Sequence, residues 1–268
     1  MDLGLTDRVV LITGTSSPIG IGATTALRFC QEGARVALVY KRLALPYDPD
    51  RAQQSGMDRY RRLLSDNAQS IKQRLSEITD QYLVIEQDIT EPGAAARILD
   101  RVEDRLGTVE VLVNNAAEYA EQGDTILRIS EDVIDKTFDV NVKATLLMIK
   151  EFVTRCGDYG RIVNLSTDAA QAFPGQIAYG ASKATTEAFT RSIAIEVGHL
   201  GITVNAVAPG PTQTGYISEE QETALLPEIP LGRIGRPEDI ADAILFLASA
   251  RASWLTGQVI RVSGGHAL

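Results

Sequence analysis

Histidine occurs only twice in this chain of 268 residues, cysteine twice and tryptophan once. Cys30 and Cys156 make no metal-ligand spacing and no disulfide framework. Both fall in stretches that read as helical, and they are expected to be free thiols in a reducing compartment. His199 and His266 stand too far apart in sequence to suggest a site, so no metal is expected. The N-terminal stretch "MDLGLTDRVVLITG" has no basic start, no long apolar run and no small-residue cleavage site. Neither a secretory signal nor a membrane anchor is expected, and the predicted location is cytoplasmic. Basic residues are outnumbered, 26 Lys and Arg against 35 Asp and Glu, and the net charge is -9. That balance lacks the basic face that a nucleic-acid partner requires.

What the chain has in quantity is alternation. Short β-branched runs at 8–13, 34–40, 82–88, 109–115, 160–166, 202–208 and 258–264 read as strands. Most are continuously apolar, as parallel strands covered on both faces must be. Amphipathic stretches at 23–32, 94–106, 131–155, 180–199 and 237–248 lie between them. This rhythm predicts an α/β fold with a doubly wound sheet, and residues 1–268 read as a single domain. One region departs from it. After the second strand, residues 41–70 form an insertion containing two prolines and a glycine, and residues 57–79 read as helical.

The stretch "TGTSSPIGIG" (13–22) falls between the first strand and the first helix, where an open α/β sheet binds a pyrophosphate. Gly20 and Gly22 allow close approach of the backbone, and Thr15, Ser16 and Ser17 offer hydroxyl donors. Asp88, at the end of the third strand, is suited either to accept from an adenine amino group or to cap the following helix. In "AYGASKATTEAF", Tyr179 and Lys183 stand four apart at a helix start, on one face a turn apart. A cation beside a phenol favours the phenolate, which would make Tyr179 a general acid/base near neutral pH. "NLST" (164–167) places the hydroxyls of Ser166 and Thr167 just upstream, and "VNNAA" and "VNVKAT" place amides at the same sheet edge.

Taken in order, these motifs resemble the short-chain dehydrogenase/reductase family from end to end, especially its 3-oxoacyl-carrier-protein reductase-like members. The resembling pieces are "TGTSSPIGIG", Asp88 with Ile89, "NNAA" (114–117), Asn141 in "DVNVKAT", "NLST", "AYGASK", "VNAVAPGPTQT" (204–214), "GRPEDIA" (235–241) and "TGQVIRVSGG" (256–265). The resemblance implies a Rossmann-like, seven-stranded parallel sheet with helices on both faces, and a homodimer or homotetramer. It implies hydride transfer between a nicotinamide cofactor and a small-molecule carbonyl or alcohol. Tyr179 would then protonate the carbonyl oxygen, and Lys183 would tune Tyr179 and bind the nicotinamide ribose. Asn141 would order a water that refills the proton, and a hydroxyl of Ser166 or Thr167 would hold the substrate oxygen. The implied cofactor contacts are Gly14, Thr15, Ser16, Ser17, Gly20, Ile21 and Gly22, then Tyr40, Lys41, Arg42, Asp88 and Ile89. Asn115, Ala116 and Ala117 follow, then Tyr179 and Lys183, with Pro209, Gly210, Thr212 and Thr214 at the nicotinamide end. Residues 211–230 would be a mobile substrate loop.

Three departures qualify the resemblance. The glycine loop is two residues longer than the family's usual pattern, and Ala117 stands where a glycine is usual. The catalytic hydroxyl is ambiguous: counting from the strand selects Thr167, while counting back from Tyr179 selects Ser166. Tyr40, Lys41 and Arg42 stand where an NAD site would carry a carboxylate, which predicts a preference for NADP(H). The insertion starts beside the adenosine-binding strand and is expected to cover that side, leaving the carbonyl site alone. A nucleotide-binding module of the same fold without catalysis is the alternative.

Overall fold

Val9–Thr13 is buried along its whole length because both faces of this first strand, β1, are covered. Val10 and Ile12 enter one core with Ala23, Phe29 and Ile244, while Val9 and Leu11 enter another with Leu99, Phe152 and Val204. Strand periodicity of two thus divides one apolar run between two layers. The computed structural model describes residues 2–65, 68–119 and 123–267. Its other strands are β2 (Arg35–Tyr40), β3 (Tyr82–Glu86), β4 (Val111–Asn114), β5 (Gly160–Leu165), β6 (Ile202–Pro209) and β7 (Val259–Val262). They form one seven-stranded sheet in the order β3-β2-β1-β4-β5-β6-β7. All pairs are parallel. The order reverses between β1 and β4, which opens a crevice at the C-terminal ends of those strands.

The helices are α1 (Ile21–Gln31), α2 (Met57–Leu64), α3 (Gln69–Ser76), α4 (Ala94–Leu106), α5 (Glu131–Phe138), α6 (Thr145–Arg155), α7 (Ile177–Val197), α8 (Glu219–Leu225) and α9 (Pro237–Ala248). Helices α1, α3 and α9 contribute to one core, and α4, α6 and α7 to the other. The expected doubly wound sheet, helices on both faces, is what the chain forms. Among the described residues, no helix is long and apolar enough to cross a membrane.

Three local expectations differ. The helical stretch 131–155 is interrupted by a π-helical turn over Asp139–Ala144, which carries Asn141. Such a turn widens the helix locally and re-aims one side chain, and it is common at functional sites. Residues 211–230 contain helix α8, whose start is a capping box between Ser218 and Gln221. Ile217, Ile229 and Ile234 bury themselves together beside it, so this loop-like composition builds a small packed unit. Cys156 lies just past the end of α6 instead of within a helix, and it is half-buried. Burial pushes the Cys30 thiol up to about 12 and the Cys156 thiol up to about 11, which leaves both protonated and inert at neutral pH.

Candidate active site

The loop between β1 and α1 leaves backbone and hydroxyl donors unclaimed at the crevice. Helix α1 starts at Ile21 after Gly20, no side chain caps it, and no acidic residue stands in its first turn. Its first N–H groups and the positive end of its dipole therefore face the crevice unclaimed by side chains. Ser17 Oγ is buried there without a hydrogen-bond partner. An orphaned donor beside an uncapped helix start fits a diphosphate, since a buried hydroxyl left unpaired costs about 1–3 kcal/mol. The other two hydroxyls of the loop are engaged in holding it. Thr15 Oγ1 donates to the Val39 carbonyl at 3.1 Å, and Ser16 Oγ donates to the Lys41 carbonyl at 2.9 Å. Ile21 packs on the core beneath.

Asn115 closes the cradle from the other side of the crevice. Its Nδ2 donates to the carbonyls of Thr13 (2.9 Å) and Gly14 (2.7 Å), and the N–H groups of Asn115 and Ala116 both donate to Thr13 Oγ1 at 3.2 Å. Gly14 has φ +73°, and a Cβ there would lie 2.5 Å from Ala116 Cα. Backbone cannot yield as a flexible side chain can. Gly14→Ala should therefore cost on the order of 1–3 kcal/mol, read as a lowered Tm in thermal unfolding. Ala117, where the family has glycine, is exposed.

The cations just past the end of β2 are already paired. Lys41 Nζ lies 2.6 Å from Asp88 Oδ2, and Arg42 lies 3.2 Å from Glu86 Oε2. Tyr40 Oη donates to the same Glu86 oxygen at 2.9 Å. Asp88 does not cap a helix: its Oδ1 accepts from the Thr90 N–H and hydroxyl, and α4 starts later, after Gly93. The hydrogen bonds from Lys41 and Thr90 hold its carboxyl below the usual range despite burial. Ile89 packs against the second core.

At the opposite end of the crevice, the C-terminal ends of β4, β5 and β6 bring the catalytic candidates together. Lys183 is buried and donates from Nζ to the Leu165 carbonyl at 2.7 Å, with Nζ 5.6 Å from the Tyr179 ring centre. Asn141 joins them from the π-helical turn. Its Nδ2 donates to the Glu118 carbonyl and to Ser182 Oγ, both at 2.9 Å, and its Oδ1 accepts from the Glu118 N–H at 2.8 Å. Ser182 Oγ in turn donates to the Tyr179 carbonyl at 2.7 Å. Ser166 is buried and donates to Glu187 Oε1 at 2.8 Å, whereas Thr167 Oγ1 accepts only a long 3.5 Å contact from the Ala169 N–H. Past β6, the Pro209 carbonyl accepts from the Asp168 N–H at 3.0 Å, and the Gly210 N–H donates to Val262. Thr212 Oγ1 donates to the Gly210 carbonyl at 2.9 Å, and the Thr214 N–H donates to Thr212.

The electrostatics correct one expectation. The Tyr179 phenol is not lowered but raised, by burial first and then by Tyr216, Tyr60 and Asp168. Lys183, desolvated, falls to about 8. The lysine spends its charge on the Leu165 carbonyl, and the low dielectric disfavours both ionic forms.

Sequence reasoning missed two groups. Tyr60, Tyr119 and Tyr216 join Tyr179 and Phe173 in a run of ring contacts, with centroids 5.8–6.4 Å apart. These rings sit on separate elements and carry no spacing signal. Asp168, buried next to Thr167, has its Oδ2 2.7 Å from His266 Nδ1, and His266 Nε2 lies 3.6 Å from Glu228. Burial raises the Asp168 carboxyl, and His266 offsets part of that. His266, which its place in the sequence sets apart from any site, thus ties the segment after β7 to the chain just past β5. Among the described residues there is no cluster that could hold a metal.

The expectation for the insertion is also corrected. The Gly56 N–H donates to the Gly215 carbonyl at 2.9 Å, and a Cβ on Gly215 would meet Leu63 of α2 at 3.0 Å. The excursion after β2 thus reaches residues 215–216, with Leu63 of α2 against Gly215 beside Ile19 and Tyr60 against Tyr216.

Comparison with known proteins agrees with this geometry. Residues 14–267 match the family model described as enoyl-(acyl carrier protein) reductase. An uncharacterized oxidoreductase of Bacillus subtilis, YjdA, is 32% identical over 97% of this chain and 96% of its own length. The 3-oxoacyl-[acyl-carrier-protein] reductase FabG of Rickettsia prowazekii is 33% identical, covering 98% of both chains. Among solved structures, a blue fluorescent protein from a metagenomic library in complex with NADPH superposes with a TM-score of 0.82 at 28% identity, covering 98% of this chain and 99% of that one. With its glycine-rich cradle, its Tyr179, Lys183 and Asn141 gathered at one sheet edge and these relatives, the chain belongs to the short-chain dehydrogenase/reductase family of oxidoreductases, which act on CH–OH and carbonyl groups.

Proposed function

We propose that this protein is an NADP(H)-dependent reductase of a ketone or aldehyde, or the dehydrogenase of the corresponding alcohol, read as one catalytic domain. The observation that carries the reading is the placement of an orphaned Ser17 hydroxyl and an uncapped α1 in the same crevice as Tyr179, Lys183 and Asn141. NADP(H), when bound, supplies or accepts the hydride. In reduction, Tyr179 Oη gives its proton to the carbonyl oxygen as the carbon is reduced. Lys183, which donates to the Leu165 carbonyl here, would turn toward the phenol and the cofactor's ribose and stabilise the phenolate that results. Asn141 orders a water through which Lys183 returns the proton, and Thr167 holds the substrate oxygen while Ser166 stays committed to Glu187. Gly14, Thr15, Ser16, Ser17, Gly20, Ile21 and Gly22 with Asn115, Ala116 and Ala117 would cradle the dinucleotide, and Pro209, Gly210, Thr212 and Thr214 would meet its nicotinamide end. NADPH oxidation assayed with a panel of carbonyl compounds tests the reading. Tight NADPH binding with no turnover of any of them would leave only a nucleotide-binding module.

The preference for NADP(H) rests on Lys41 and Arg42, which are 55% and 49% exposed at the side chain and can turn from their carboxylate partners toward a 2′-phosphate. A charge-assisted hydrogen bond contributes about 1.5–3 kcal/mol, so replacing both by Ala should lower NADPH affinity by roughly a hundredfold or more. NADH affinity should barely change. Equal kcat/KM for the two cofactors in the unaltered enzyme would remove the preference. For the homo-oligomer, the support is a set of exposed apolar side chains: Ile134, Leu146 and Leu147 on α5 and α6, with Phe246, Ile260 and the single tryptophan, Trp254, elsewhere. Sedimentation equilibrium tests it.

A further inference from the structure

We infer that the insertion supplies a wall of the substrate pocket through Tyr60, and that the substrate is an uncharged carbonyl compound carrying an aromatic ring. The inference rests on the carbonyl-reductase reading above and adds to it the group beyond the reacting carbon. Tyr60 stands on α2, which is tied to the substrate-side segment by the Gly56 to Gly215 hydrogen bond. Its ring centre is 6.1 Å from Tyr216, edge to face, and 6.4 Å from Tyr119, which lies 6.3 Å from Tyr179. Aromatic pairs prefer this range of separations and these inclined geometries. Three rings from three separate parts of the chain therefore form a run, Tyr216 to Tyr60 to Tyr119, that reaches the proton donor through Tyr119, and a flat ring joined to the carbonyl would extend the same set of contacts.

The electrostatics point away from an anionic tail. Tyr60 and Asp168 both act on the phenols of Tyr179 and Tyr216, and Tyr216 is pushed up to about 12, by burial first and then by these two. Ring-lined and desolvated, this space gives a carboxylate or phosphate no replacement for its hydration, which costs free energy. A neutral ring meets no such penalty and gains from apolar burial.

The experiment compares 1-phenylpropane-1,2-dione with butane-2,3-dione, which differ by replacement of a methyl group with a phenyl ring. Dissociation constants are measured by calorimetry on the full chain with NADP+, and kcat/KM by NADPH oxidation. The unaltered protein should bind the phenyl compound more tightly. Tyr60→Ala should weaken it about tenfold and leave butanedione and NADPH affinities as they were. Tyr60→Phe, which keeps the ring, should restore the preference and shows that the alanine variant fails by lost contact and not by misfolding. Binding of the phenyl compound that depends on Tyr60 without any turnover would sink the catalytic reading and leave this one standing. Equal losses for both diones, a loss confined to NADPH, or no preference for the ring in the unaltered protein would overturn it.

Discussion

Tyr179→Phe should lower kcat by about a hundredfold to ten-thousandfold, the range supplied by a positioned general acid, while NADPH affinity stays the same. The ring contacts with Tyr119 and Phe173 at 6.3 and 5.8 Å survive this change, so the fold has no reason to fail. Only the transferable proton goes. The pH profile carries a second signature. Lys183 has a folded value of about 8, displaced downward from 10.5 by burial. In the free enzyme its ammonium, the form that stabilises a phenolate, is present below pH 8 and lost above it. The profile of kcat/KM for reduction, which reports free-enzyme groups, should be flat on the acid side and fall above about 8. Lys183→Met should remove that limb. The same displacement affects stability: between about 8 and 10.5 the unfolded chain holds a proton that the folded chain has lost, so this group favours the fold increasingly as pH rises through that window. A profile whose alkaline limb persists in Lys183→Met would show that another group controls it.

Thr167→Ala should cost on the order of a hundredfold in kcat, the effect of removing one donor that stabilises the reacting oxygen. Thr167→Ser, which keeps the hydroxyl, should be close to normal. Ser166→Ala should be mild in kcat and should instead lower stability by about 1 kcal/mol, because its hydroxyl is spent on Glu187 at 2.8 Å. The argument is one of direction. Leu165, Ser166 and Thr167 continue the extended path beside β6, with the Ser166 N–H on the Val207 carbonyl and the Asp168 N–H on the Pro209 carbonyl. Side chains alternate along such a path, and Ser166 is the one turned toward α7. If Ser166→Ala is dead and Thr167→Ala active, the two exchange roles.

The sheet and the cradle were legible in the sequence for a shared reason. Parallel strands such as Val9–Thr13 and Arg35–Tyr40 are buried on both faces, so burial is written into consecutive residues as an apolar run. The glycine loop must follow the first strand and precede the first helix, so its position in the chain is also its position in space. Tyr179 and Lys183 were visible because a helix converts a spacing of four into proximity. Local rules of this kind also placed Ser166 and Thr167 side by side, but they could not choose between them.

The remaining features depend on contacts between distant parts of the chain. His266 meets Asp168 across 98 residues, and nothing near either one announces the pair. Asn141 is re-aimed by a π-helical turn inside a stretch whose pattern is helical throughout. The lowered phenol expected from a nearby lysine became a raised one, because ionisation follows burial and the carboxylate and phenols that gather around Tyr179. The insertion's path was the largest departure: its position after β2 points to the adenosine side alone, yet α2 meets Gly215 and brings Tyr60 to Tyr216. The sequence by itself determined the layered α/β architecture, the glycine-rich turn between β1 and α1 and the pairing of Tyr179 with Lys183 on one helix face, since each is carried by local pattern. Only the tertiary structure decided what surrounds Tyr179, because its neighbours are side chains whose nearness comes from packing and not from order along the chain.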